Sequence, residues 1–122
     1  MILGLGTDLI DIARIERAIE RHPNFLARVY TEAEREAIAR KGAQTAAGYF
    51  AAKEAVSKAL GTGFRGFGTR DISIETDELG RPAARLCGGA LERMNALGGA
   101  RLLISITHAG GFASAVAVLE SD

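Results

Sequence analysis

At 122 residues, with 15 Lys and Arg against 15 Asp and Glu, the chain carries no formal net charge. That balance excludes bulk electrostatic binding to nucleic acid, although not a local basic patch. A hydrophobic content of 48% excludes a disordered chain and suits one core in one domain, taken here as residues 1–122.

Residues 2–9 alternate with strand period: Leu3, Leu5, Thr7 and Leu9 on one face, Ile2, Gly4, Gly6 and Asp8 on the other. Glycines weaken a strand unless something must approach its backbone closely. Asp8, at the end of the glycine face, is either a turn or cap residue or part of a site. This N-terminus lacks the basic leader and long apolar core of a signal peptide, and no apolar run is long enough to span a bilayer. A soluble cytoplasmic protein without a membrane partner is the expectation.

Asp11 suits the cap of a helix whose buried stripe is Ile12, Ile15 and Ile19. Arg14, Arg17 and Arg21 keep helical spacing on another face, with Glu16 and Glu20 partly neutralising them. Such a row is either a solvated helix face or a docking stripe for an acidic partner. His22-Pro23-Asn24 ends this helix. Phe25, Leu26, Val29 and Tyr30 suggest a short apolar helical piece. Thr31 with Glu34 reads as a capping box opening a helix to about Arg40, which Lys41-Gly42 closes.

A longer helix follows and ends at Leu60. Phe50, Glu54, Ser57, Lys58 and Gly61 share one of its faces; Tyr49, Ala52, Val56, Ala59 and Leu60 lie roughly on the other. Lys53 falls on a different face from Glu54 and is given a packing or solvent role. Gly61 is a natural stop. The plain reading of Glu54 and Lys58 is a surface i,i+4 pair worth about 0.2–0.5 kcal/mol.

Residues 61–70 hold four glycines, and their arginines, Arg65 and Arg70, suit contact with an anion. Asp71–Thr76 alternates as a strand, 78–82 turns, and Ala84–Cys87 returns as a second strand. Cys87, the only cysteine, excludes an intrachain disulfide and is read as a small packed strand residue. Gly89–Leu97 reads as a helix closed by Gly98-Gly99. Arg101–Thr107 and Ala113–Leu119 form a hairpin around Ala109-Gly110-Gly111, with His108 at its mouth. The order β-α-α-α-β-β-α-β-β points to an α+β fold with a largely antiparallel sheet.

Asp8 and Glu54 come from separate elements, and such a carboxylate pair suits a hard cation such as Mg2+. Lys58 can neutralise a phosphate, and glycines let a backbone approach a pyrophosphate. Together these are tools of phosphoryl-group transfer. No Walker loop or dinucleotide fingerprint is present. A Ser105-His108-Asp8 triad lacks a nucleophile elbow. A non-catalytic nucleotide-binding module would keep the glycines and cations without needing two carboxylates.

Gly4 to Ile12 with the basic helix after it resembles the first motif of the holo-[acyl-carrier-protein] synthase family. Phe50 to Gly63 is similar to that family's second motif. Gly80-Arg81-Pro82 and Ser105-Ile106-Thr107-His108 fall where the family has its hairpin turn and C-terminal Ser-x-[Ser/Thr]-His. The resemblance implies a 4'-phosphopantetheinyl transferase fold and enzyme. Such an enzyme moves 4'-phosphopantetheine from coenzyme A to a serine of an apo acyl carrier protein of fatty-acid or polyketide biosynthesis, and releases adenosine 3',5'-bisphosphate. It further implies Asp8 and Glu54 as Mg2+ ligands and, with Lys58, as the catalytic group. Lys58 would neutralise charge on the pyrophosphate or help manage the serine proton. The coenzyme A site would take Arg40, Lys41, Ser57, Lys58, Gly61, Gly63, Pro82, Thr107 and His108, with the Gly61–Gly68 loop covering the cofactor. Arg14, Arg17 and Arg21 would dock the carrier, and the chain would form a homotrimer with His108 acting across an interface. Two positions depart from the family: Tyr49 replaces a common Arg, and Ala109 a frequent hydroxyl residue.

Overall fold

The computed structural model describes residues 1–122. In chain order the elements are β1 (Ile2–Asp11), α1 (Ile12–Arg21), α2 (Phe25–Val29), α3 (Glu32–Lys41), α4 (Ala43–Ala59), β2 (Ile72–Thr76), β3 (Pro82–Leu86), α5 (Gly88–Ala96), β4 (Arg101–Ala109) and β5 (Phe112–Glu120). The sequence expectation of an α+β fold holds. The apolar piece at Phe25 adds a helix of its own to the expected order. All strand pairing is antiparallel, in a three-stranded sheet ordered β1-β5-β4 and a separate β2-β3 hairpin.

Local chemistry sets the boundaries. The Asp11 carboxylate accepts from the Ala13 amide at 2.9 Å and caps α1. Thr31 and Glu34 form the reciprocal capping box that starts α3. Gly110 and Gly111, both at positive φ, make the tight turn between β4 and β5. Cys87 corrects the sequence reading: β3 ends at Leu86, and Cys87 is an exposed free thiol at the N-cap of α5.

Helix α4 lies across the inner face of the three-stranded sheet, and small residues let it approach. Ala51, Ala52, Ala55 and Ala59 are buried on the helix, as are Ala113, Ala115 and Ala117 on β5. On β1 the approach is closer still. A Cβ on Gly4 would stand 1.9 Å from the Ala59 carbonyl oxygen, and one on Gly6 would stand 1.8 Å from that of Ala55. The glycine face of β1 therefore receives a helix backbone. The close approach that these glycines imply is made by α4. Gly6→Ala must lift α4 from the strand, and a destabilisation of about 1–3 kcal/mol is expected in denaturant unfolding. An unchanged midpoint would show that α4 does not need this contact.

The opposite face of the sheet is apolar and open. Leu5 and Leu9 of β1 are 63% and 66% exposed and Leu103 of β4 is 43% exposed. Val118 pairs with both Leu5 and Leu103, which joins the three strands into one surface.

Candidate active site

Asp8 reaches the site because β1 alternates: its carboxylate follows Gly4 and Gly6 on the side facing α4. Glu54 and Lys58 sit one helical turn apart on α4. The three meet at the β1 edge of the sheet. The Lys58 ammonium donates to the Thr7 carbonyl at 2.9 Å and stands 3.3 Å from Asp8 Oδ1. Lys58 thus pairs across elements with Asp8, and the expected i,i+4 contact with Glu54 is replaced by it. Asp8, Glu54, Arg14, Phe25 and Phe50 share a cleft of about 460 Å3. The first arginine of the α1 row therefore opens onto the carboxylate pair.

Burial and then the neighbouring Asp8 charge lift the Glu54 carboxyl above the ordinary glutamate range, with Lys58 opposing. Two carboxylates held against each other in this way make a site that a cation would relieve. No group of three or more His, Cys, Asp or Glu side chains gathers as a possible metal site. A pair of oxygen donors with no third protein ligand suits Mg2+, which keeps waters and takes phosphate oxygens, better than Zn2+.

A second cleft, of about 190 Å3, lies at the other edge of the sheet and contains Lys41, Tyr49, Pro82 and His108. His108 Nε2 is 2.9 Å from the Gln44 carbonyl, its ring laid against α4 where Gly48 has no side chain. Burial first, then Glu34, pushes the Tyr49 phenol upward, so at neutral pH it is an uncharged wall beside Lys41. β5 separates the two edges, and two strand spacings span about 10 Å.

Other expected site residues are placed differently. Ser57 is buried with its hydroxyl donated to the Glu54 carbonyl at 2.7 Å, so it faces the core. This corrects its placement on the open face of α4 and leaves it no hydroxyl for a cofactor in this conformation. Thr107 and Ser105 alternate onto the outer face of β4, opposite His108, and β5 stands between β4 and Asp8. The Ser105-His108-Asp8 triad therefore does not assemble. Gly61 and Gly63 open the loop after α4, both at positive φ. Arg40 is exposed at the end of α3, and its charge acts on Tyr49. Arg17 and Arg21 are exposed on α1.

Two participants escaped the sequence reading. Arg93 of α5 donates to the Leu60 carbonyl at 2.9 Å and closes α4, a contact with no local signal in the sequence. Lys53 is neither solvent-facing nor simple packing: it is a buried cation 2.8 Å from Glu34. Burial lowers its affinity for the proton and Glu34 restores part of it.

A carboxylate pair with a facing lysine at one edge of the sheet, and Lys41 with His108 at the other, are groups suited to the class of enzymes that transfer phosphate-bearing groups. Residues 4–107 match the family described as the 4'-phosphopantetheinyl transferase superfamily. The holo-[acyl-carrier-protein] synthase of Clostridium novyi is 52% identical over 124 residues, covering 100% of this chain and 90% of that protein. The enzyme of the same name from Clostridium botulinum strain Alaska E43 is 49% identical, covering 98% of each. Among solved structures, the Helicobacter pylori synthase in complex with coenzyme A superposes with a TM-score of 0.85 at 36% identity, covering 95% of this chain and 99% of that one. The Neisseria meningitidis synthase gives 0.89 at 35%, covering 99% and 100%. The chain belongs to the 4'-phosphopantetheinyl transferase superfamily and, within it, to the holo-[acyl-carrier-protein] synthases.

Proposed function

We propose that the chain transfers 4'-phosphopantetheine from coenzyme A to a serine hydroxyl of an apo acyl carrier protein, with residues 1–122 acting as one transferase domain. The observation that carries this reading is the meeting of Asp8 and Glu54 in one cleft that Arg14 also lines, with the Lys58 ammonium paired to Asp8. The Helicobacter pylori relative bound to coenzyme A supports the donor. A Bacillus anthracis relative, solved with coenzyme A (3',5'-ADP) at 36% identity and a TM-score of 0.83, supports adenosine 3',5'-bisphosphate as the released group.

In the reaction the serine oxygen bonds to the phosphorus that bears pantetheine. The bond from that phosphorus to the bridging oxygen breaks, the adenosine bisphosphate leaves with that oxygen, and the serine hydroxyl proton is released to solvent. Asp8 and Glu54 would hold Mg2+, which when bound supplies charge neutralisation at the pyrophosphate. Lys58 adds a further positive charge on the same side. Arg40, Lys41, Pro82 and His108 would receive the phosphates at the other edge of the sheet, with Gly61, Gly63 and the loop they open covering the cofactor. Ser57 and Thr107 would join only through a rearrangement or a second copy.

A site divided between two edges of one sheet suits an assembly in which one copy's β1 edge meets another copy's β4 edge. The open face bearing Leu5, Leu9 and Leu103 is the surface for that homotrimer. Leu5→Asp with Leu103→Asp is expected to give monomers in sedimentation; a trimer that survives both changes would place the interface elsewhere. No helix is long and apolar enough to cross a membrane, and we place the enzyme in the cytoplasm beside its carrier.

The test is to incubate the protein with coenzyme A, Mg2+ and a panel of apo carriers from fatty-acid and polyketide systems, then weigh the carriers. A gain of one phosphopantetheine, abolished by chelator and restored by Mg2+, is expected. No gain on any carrier would favour the non-catalytic binding module. Arg14→Ala with Arg17→Ala is expected to raise the carrier KM several-fold at low salt and less at physiological salt, where charges are screened beyond about 8 Å. A carrier KM unaffected by either change would remove the docking role of α1.

A further inference from the structure

One of the two loop arginines leaves the coenzyme A question altogether. Arg70, in the turn before β2, lines a third cleft with Arg28 of α2 and Arg35 of α3. At about 790 Å3 this cleft shares no residue with the two described above. None of its three guanidinium groups belongs to an ion pair. The Nε of Arg35 is buried without any hydrogen-bond partner. A buried N–H on a charged group ordinarily has one, because leaving it unpaired forfeits its hydration.

The carboxylates at the rim do not supply it. Asp71 is turned toward the start of α5, its Oδ1 3.8 Å from Cys87 Sγ. Glu32 is exposed in the first turn of α3. The N-cap of α3, Thr31, lines the same cleft. The start of a ten-residue helix therefore borders it as well, where the capping box takes up the Glu34 amide and leaves those of Glu32 and Ala33 without internal acceptors. Three guanidinium forks from three elements and a helix N-terminus, with one N–H already desolvated, match a tetrahedral oxyanion. A planar carboxylate engages one fork, whereas phosphate presents oxygens in several directions.

We propose that the Arg28–Arg35–Arg70 cleft is a phosphate-class anion site, taking inorganic phosphate or the terminal phosphomonoester of a larger ligand. The site stands apart from the transfer reaction and does not depend on it. Its position gives it a consequence. Gly68 and Thr69, which close the glycine-rich loop, also line the cleft, so a bound anion would tie the end of that loop to α2 and α3.

The experiment is an NMR titration of the arginine Nε–H signals of the intact protein at constant ionic strength. One arm adds inorganic phosphate and the other glycerol 3-phosphate. The Arg35 signal is expected to shift saturably, with slowed exchange against solvent. Arg35→Gln and Arg70→Gln are each expected to weaken the saturable binding about tenfold or more, the equivalent of one charge-assisted hydrogen bond. Arg70 is exposed, so its variant reports even where the change at Arg35 disturbs folding. Tighter binding in the second arm identifies a phosphomonoester ligand, and tighter binding in the first identifies free phosphate. A shift that drifts without saturating, or affinity untouched in the Arg70 variant, overturns the site.

Discussion

Glu54→Gln will lower pantetheine transfer by about a hundredfold or more while leaving the protein at least as stable as before. The catalytic part of this expectation follows from the donor set. Amide oxygen is a weaker partner for Mg2+ than carboxylate, and only Asp8 would remain. Second-layer changes at metal sites already cost about 10–100-fold, and the loss of one charge-stabilising group at a reacting centre costs about 10²–10³-fold. The stability part follows from electrostatics. Burial and the Asp8 charge raise the Glu54 carboxyl above its ordinary range. Between the ordinary value and the raised one, the folded protein binds more protons than the unfolded chain. Stability therefore falls as pH rises through that window, and at neutral pH the ionised Glu54 weighs against the fold. Glutamine removes that charge, so its variant should lose the pH dependence across the window together with the activity. Asp8→Ala should likewise lose transfer, and it also deprives Lys58 of its partner. Measuring transfer by carrier mass and stability by urea unfolding from pH 4 to 8 separates the two effects. Wild-type transfer by Glu54→Gln would end the metal-site reading; a large drop in its stability at neutral pH would show that Glu54 is part of the fold's support.

Much of this was readable from the chain because the responsible signals are local. Asp11, Thr31 with Glu34, and the Gly110-Gly111 turn each act on backbone within a few residues. Boundaries at those points came out nearly as expected. Asp8 was readable as unusual because a charge on a glycine-lined strand is costly without a purpose, whereas Glu54 alone read as half of a surface ion pair and gained a site role only once set beside Asp8. What the sequence did not show is which partner each group finds across the fold. Gly4 and Gly6 announced a close approach without saying that the backbone of α4 makes it. Lys58 could be placed on a face, but its choice of Asp8 and the Thr7 carbonyl over Glu54 depends on the distance between β1 and α4. Ser57 looked available by helical spacing, yet it is turned into the core, where its hydroxyl bonds its own helix. Helical spacing gives angular position and says nothing of which sector the rest of the chain covers.

Lys53 is the sharpest instance, and the largest effect on stability is expected there. Glu34 looked complete as a capping-box residue, and its Oε1 does accept from the Thr31 amide at 2.8 Å. That same oxygen is 2.8 Å from Lys53 Nζ, and Oε2 accepts from the Ile74 amide at 2.6 Å. Lys53 in turn donates to the carbonyls of Thr69 and Ile72. One buried pair thus joins α3, α4 and the start of β2, and it anchors the end of the glycine-rich loop one residue away from Glu54. Replacing Lys53 with Met leaves the Glu34 charge buried without its counterion and two carbonyls without a donor. The expected cost is about 3–5 kcal/mol, a large share of the roughly 5–15 kcal/mol that holds a domain of this size together. Glu34→Gln alone strands the lysine instead and should also be severe. In the double variant neither charge remains, so its loss should fall well short of the sum. Guanidinium unfolding of the four proteins gives the coupling directly. A cost for Lys53→Met below about 1 kcal/mol, the ordinary worth of an exposed pair, or strict additivity in the double variant, would show that the two side chains do not form a buried lock.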